Sequence, residues 1–211
     1  MASQVRLYTM PISHYCVSAE RMLALKGIRY ESVHVPYHDK RRLLRETGQD
    51  YVPALRWGRT VVPWKEIPDL LEKKRPLPPL FPAGLAGEAA LLQHWAHQVL
   101  EERVWRAVVT RVGRSLGDPV ERWVFEEMQT RARGPWHILE AREPEFRREM
   151  EEHLAMVERA LEGREWILGR PSVADCAIFG AISPLVTAGG SIPGRYRRLR
   201  RWYARVARIG R

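Results

Sequence analysis

Four prolines fall within the ten residues RPLPPLFPAG, 75–84, and they divide the chain into two parts with different hydrophobic periodicity. Each proline fixes φ near −65° and lacks an N–H, so neither a helix nor a central strand can run through the stretch, which reads as an extended connector. Before it, short strand and helix patterns alternate. VRLY is β-like, residues 14–27 are helical with Gly27 as the stop, and RYESVHV returns to strand alternation, which makes a βαβ unit. YHDKRRLLRETG predicts a short helix ended by Gly48. YVPALRW and VVPW predict a hairpin about Gly58, and KEIPDLLEKK a brief helix. After the connector only helical periodicity remains, with helices expected at about 86–113, 119–140, 144–163, 172–187 and 195–208. There is no internal repeat, no low-complexity tract and no heptad series long enough for a coiled coil.

A chain of 211 residues, 45% hydrophobic and 28% charged, can bury a substantial core. The first ten residues lack a basic-then-apolar signal pattern, and no stretch approaches a bilayer-spanning apolar run, so a cytoplasmic protein without a membrane role is expected. Cys16 and Cys176 could form at most one bridge, and both read as thiols. The net charge of +10 is densest in GRYRRLRRWYARVARIGR, where Leu199, Trp202, Tyr203 and Val206 recur at helical spacing. These four predict an amphipathic terminal helix with its arginines on the wet side, and nucleic acid is not an expected partner.

Two helix starts stand out. In MPISHYCVSAERMLALKG, Ser13 and Cys16 sit three apart where a helix begins. A helix N-terminus favours anions and lowers the pKa of an accessible thiol. Ser13 also suits a plain N-cap, and Cys16 a small buried hydrophobe. His14, at the positive end of the dipole, reads either as a general base or as a wet imidazole. In PSVADCAIFGAI, Ser172 and Asp175 predict a reciprocal capping box for a helix that is apolar all round, so both are structural N-cap residues. His94, His97 and Glu101 share a helix face but form an incomplete zinc set, and no metal is expected.

The order β-α-β-α-β-β-α, a Pro-rich linker and an all-helical half resembles the soluble glutathione S-transferase family, and particular stretches carry the likeness. SHYC resembles the active-site turn that glutaredoxins write Cys-Pro-Tyr-Cys and many transferases Ser-Pro-Tyr-Cys. YVPAL resembles the family's Val-Pro segment, where the proline is cis and the residue before it offers its backbone to the cysteinyl part of glutathione. LPPLFPAG resembles the interdomain linker, and WILGRPSVADCAIFGAI the entry to the buried helix of the second domain.

The resemblance implies an α/β plus all-α fold: a thioredoxin-like, glutathione-binding domain at 1–76, a linker at 77–85 and an all-helical C-terminal domain at 86–211. It also implies a homodimer of detoxification type that takes glutathione as co-substrate and binds no cofactor tightly. The glutathione thiolate, stabilised by Ser13, would attack an electrophilic small molecule. Cys16, at the second-cysteine position of the redox motif, is the other candidate catalytic residue, forming a mixed disulfide with glutathione. His14, Lys40, Arg41, Val52, Pro53 and Trp64 would surround the tripeptide, and His94 and Trp95 would face the electrophile. Pro63 and Trp64 stand where relatives have Glu-Ser or Asp-Ser, and Glu20 where many have an arginine. The alternative implied by these departures is a catalytically silent member that binds a protein or another small ligand.

Overall fold

The computed structural model describes residues 4–210. The first half runs β1 (Val5–Thr9), α1 (His14–Leu25), β2 (Glu31–His34), α2 (Arg41–Thr47), β3 (Ala54–Trp57), β4 (Thr60–Pro63), a 3-10 turn (Trp64–Glu66) and α3 (Ile67–Lys74). The four strands form one mixed sheet in the order β2-β1-β3-β4. β1 is parallel to β2 and antiparallel to β3, and β3 is antiparallel to β4. This is the thioredoxin-like arrangement. The period-2 pattern sorts the side chains: Leu7 and Leu55 pack with Ala19, Met22 and Leu23 of α1 and with Ile67 and Leu71. On the other face Tyr8, Val33 and Ala54 pack on Leu43 of α2. Gly48 closes α2 at φ 71°, a conformation that L side chains other than Asn and Asp rarely adopt.

The second half is helical: α4 (Ala86–Trp95), a π-helical segment (Ala96–Leu100), α5 (Glu101–Ser115), α6 (Pro119–Arg133), α7 (Trp136–Ala141), α8 (Glu143–Ala160), α9 (Val173–Thr187) and α10 (Arg197–Ala207). One expectation is corrected here. The helix expected over 119–140 is two helices, because the Gly134 N–H ends α6 on the Thr130 carbonyl and Pro135 cannot continue it. α9 is buried from Val173 to Leu185. Its capping box is present, and the Asp175 carboxylate accepts from Ser172 N, Ser172 Oγ, Ile167 N and Trp202 Nε1 at 2.8–3.1 Å. With four donors converging on it, Asp175 is a structural residue. Leu199, Trp202 and Val206 of α10 are buried and Tyr203 half-buried, the face expected from their spacing. No helix among the described residues is long and apolar enough to cross a membrane.

The Pro-rich stretch is tied down by a buried cation. Lys26 Nζ donates to Glu72 and to the carbonyls of Arg75 and Pro76, Glu72 accepts the Leu80 N–H at 2.6 Å, and the Leu80 carbonyl accepts the Val173 N–H at 2.8 Å. The connector thereby links the end of α3 to the start of α9. α9 lies against α1 so closely that a Cβ added at Gly180 would stand 2.1 Å from Ser18 Oγ and 2.5 Å from the His14 carbonyl. The N-terminal turn of α1 is therefore fixed by the helical half.

Candidate functional site

That turn begins at Ser13, whose backbone is extended and whose hydroxyl accepts the Cys16 N–H at 3.4 Å. Ser13 is half-buried, and the hydrogen bonds among the described residues use its oxygen only as an acceptor. Cys16 is fully buried, and its sulfur accepts the Met10 N–H at 3.4 Å. Burial raises its pKa, with hydrogen bonding to Ser13 and Met10 opposing. At neutral pH Cys16 is a thiol that stitches the turn together. Cys176, also fully buried, has its pKa raised by the same cause. Thr9 donates to Glu20, whose carboxyl pKa burial pushes upward, so an acid held by Thr9 fills the position where many relatives have an arginine.

His14 is neither wet nor free to meet a solute from solution, which corrects the surface-imidazole expectation. α5 covers it: Trp105 Nε1 donates to His14 Nδ1 at 3.1 Å, and Glu101 Oε1 stands 3.5 Å from the same nitrogen. Burial lowers the pKa of His14, helped by His97 and Arg133, and raises that of Glu101 to about 7, opposed by Arg133. The His14–Glu101 contact is thus between a neutral imidazole and a carboxyl near its midpoint, not an ion pair. His14 Nε2 has no partner among the described residues. Arg133 of α6 closes the cluster, 3.8 Å from Glu101 and 2.7 Å from Glu102. Periodicity gave no sign of this cluster, since its members come from α1, α5 and α6.

A second group forms the mouth between the halves. Tyr15 stacks on the Trp64 indole, with ring centroids 4.4 Å apart, and donates to the His97 carbonyl at 3.3 Å. Trp64 meets the His97 ring edge-on at 5.5 Å, and the Lys65 ammonium lies 5.5 Å over the indole. His97 Nε2 contacts Ser18 Oγ at 3.3 Å, and burial pulls its pKa down to about 4. Trp64, Lys65, Gln93, His94 and His97 line a cavity of about 460 Å³.

The remaining sequence-predicted residues are dispersed. Val52–Pro53 is a cis peptide immediately before β3, the isomer implied by the YVPAL resemblance. Lys40 and Arg41, with His38, Asp39, Leu44 and Asp50, line a separate cavity of about 430 Å³, and Arg41 is paired with Asp39 at 2.6 Å. His94 shares the cavity of Trp64, whereas Trp95 faces an apolar groove with Leu91, Leu92, Met156 and Ile178. Tyr15 and Arg133 carry no sign of a site role in the sequence, and Glu101 stands out there only within the incomplete zinc set.

No curated protein sequence matches the chain. The fold matches a glutathione transferase, GSTFuA3, from Phanerochaete chrysosporium at a TM-score of 0.82 and 20% identity, covering 98% of this chain and 97% of that one. It matches a glutaredoxin 2 from Salmonella typhimurium, in complex with glutathione, at 0.79 and 19%, covering 99% and 96%. Identities this low speak for the fold alone. A glutathione S-transferase from Methylobacterium radiotolerans, in complex with glutathione sulfonate, matches at 0.68 and 25%, covering 98% and 91%. Residues 7–77 match the family model "Glutathione S-transferase, N-terminal domain", and residues 107–205 match "Glutathione S-transferase, C-terminal domain". The two halves read separately from their periodicity are thus the two domains of one known pairing, and the chain belongs to the glutathione S-transferase family.

Proposed function

We propose that the protein binds glutathione at the N-terminus of α1 and stabilises its thiolate for attack on an electrophilic small molecule. The observation that carries this reading is Ser13: a half-buried cap hydroxyl that, in the hydrogen bonds among the described residues, is an acceptor, at the positive end of a twelve-residue helix. A thiolate needs a donor and a positive potential, and this position offers both. Val52, ahead of the cis Pro53, would take the peptide backbone of glutathione, and Lys40 or Arg41 a carboxylate. The cavity bounded by Trp64, His94 and His97 would hold the electrophile. The glutathione and glutathione sulfonate bound to two of the structural neighbours support the ligand class. We assign the protein to the cytoplasm and to a homodimer on the family's habit.

Cys16 has no part in this chemistry. Its desolvated thiol cannot ionise readily, and Ser13 stands where a partner cysteine would be needed. A second reading, a silent binder, is favoured by Trp64. Its ring is engaged with Tyr15 and His97, and Pro63 before it has neither an N–H nor a side-chain acceptor for the γ-glutamyl carboxylate.

Calorimetric titration of glutathione, followed by conjugation kinetics, separates the two. The leading reading expects measurable binding and a loss of turnover in Ser13→Ala of about 10- to 100-fold, the worth of one hydrogen bond to a charged group. Trp64→Ser should bind glutathione more tightly than wild type. No heat at millimolar glutathione in either protein would leave only the silent reading.

A further inference from the structure

We infer that α10 carries a docking surface for the phosphate backbone of nucleic acid, recognised by charge and not by base sequence. Arg197, Arg200, Arg201, Arg205 and Arg208, with Ala204 among them, line a surface groove of about 760 Å³. At 3.6 residues per turn these positions fall within an arc of about 140°, and from Arg197 to Arg208 they span roughly 16 Å. Opposite them, Leu199, Trp202 and Val206 are buried in the core, so the arginine face is held outward and cannot roll away.

The acidic residues near α10 are already spoken for on its flank. Glu151 of α8 pairs with Arg195, Glu158 and Glu162 with Arg198, and Glu165 with Arg205. Glu158 also accepts the Arg198 and Leu199 N–H groups, replacing an N-cap that the helix lacks. Among the described residues Arg197, Arg200, Arg201 and Arg208 have no acidic partner. Like charges one turn apart repel, and Arg197 stands in the first turn, against the positive end of the dipole. Among the described residues no acidic partner of these four relieves this repulsion, and a row of phosphates would.

Two features choose the partner. None of the exposed large apolar side chains lies on α10, so the surface has nothing to insert into a bilayer, as an interfacial helix requires. The guanidinium forks of the stripe fit phosphate oxygens in two-pronged fashion, and with no Asn or Gln among them the stripe has no reader for adenine. The sequence alone leaves these arginines as a wet helix face; the structure adds that they are collinear and mostly unpaired.

The test is fluorescence anisotropy of a short labelled duplex DNA against salt, with the full chain. Three to four phosphate contacts predict a slope of log K on log salt near −3, hence a loss of about 40- to 150-fold between about 50 and 200 mM salt. Arg197→Gln/Arg201→Gln/Arg208→Gln should abolish most of the binding, and Arg201→Gln alone should lower the slope by about 0.9. Arg29→Gln/Arg45→Gln/Arg59→Gln, which removes the same charge from exposed positions elsewhere, should leave binding within about twofold of wild type. Thermal melts of each variant establish that it is folded. The inference is overturned if no complex forms at the lower salt, or if the two triple variants weaken binding equally. Capture by phosphatidylserine vesicles without capture by the duplex overturns it as well.

Discussion

Ser13 and Cys16 share one turn of helix and differ in what surrounds them. The hydroxyl is half-buried and accepts the Cys16 N–H, and the sulfur is enclosed and accepts a backbone N–H. Native protein at neutral pH should therefore resist iodoacetamide at both Cys16 and Cys176, whereas both should be carbamidomethylated in denaturant. Intact-mass measurement before and after unfolding reads this directly, and rapid native labelling of Cys16 would contradict the buried thiol. Ser13 was legible in the sequence because capping is a local interaction, written within three residues. The neighbours of His14 were not, because Trp105 and Glu101 reach it only after two domains have packed together. A local signal could say that His14 begins a helix, but not that the helix begins indoors.

At the scale of elements the sequence was most informative where periodicity meets a breaker. Gly27, Gly48, the Gly58 hairpin and the Pro-rich connector fall where the chain changes direction. The split between α6 and α7 was also written, in Gly134-Pro135, but amphipathic spacing on either side masks it. The π-helical turn at Ala96–Leu100 had no such mark, and it carries His97, which makes the mouth of the site. The pairing of α1 with α9 likewise has no periodic signature and turns on a single residue. A Cβ on Gly180 would meet the His14 carbonyl and the Ser18 backbone, which cannot swing aside like a long side chain. Gly180→Ala should accordingly displace the first turn of α1, destabilise the protein by about 1–3 kcal/mol as overpacking does, and lower any Ser13-dependent turnover. An adjacent control, Ala181→Gly, creates no clash, and its cost should be the helix propensity plus a small buried methyl, roughly 1–2 kcal/mol, without displacing Ser13. Urea titration with kinetics on both variants separates simple loss of stability from displacement of the turn, and equal turnover in the two would refute the close-approach argument.

For the whole molecule, the seam between the domains is a set of titratable groups held largely neutral, and the fold's response to acid follows from their opposed signs. His97 is neutral down to about pH 4 when folded, whereas an unfolded imidazole takes its proton near 6.5. The stability it contributes is present above pH 6.5 and lost as pH falls through that window, and His14, shifted the same way, adds to the loss. Glu101 runs in the opposite direction. Its folded carboxyl keeps a proton up to about pH 7 that the unfolded chain releases near 4.5, so its contribution is full below 4.5 and disappears as pH rises towards 7. Between pH 7 and 4.5 the Glu101 and His97 terms are each roughly 3 kcal/mol and nearly cancel, leaving the loss from His14 uncompensated on acidification. Glu101→Gln removes the compensating term, so its stability should fall by roughly 3 kcal/mol more than wild type over that range, while His97→Gln should tilt the profile the other way. Gln keeps a polar group of similar size beside Trp105 or Ser18, so the neutral packing is nearly preserved in each case. Urea unfolding at the two pH values gives the slopes. Parallel profiles for all three proteins would mean that the seam does not titrate.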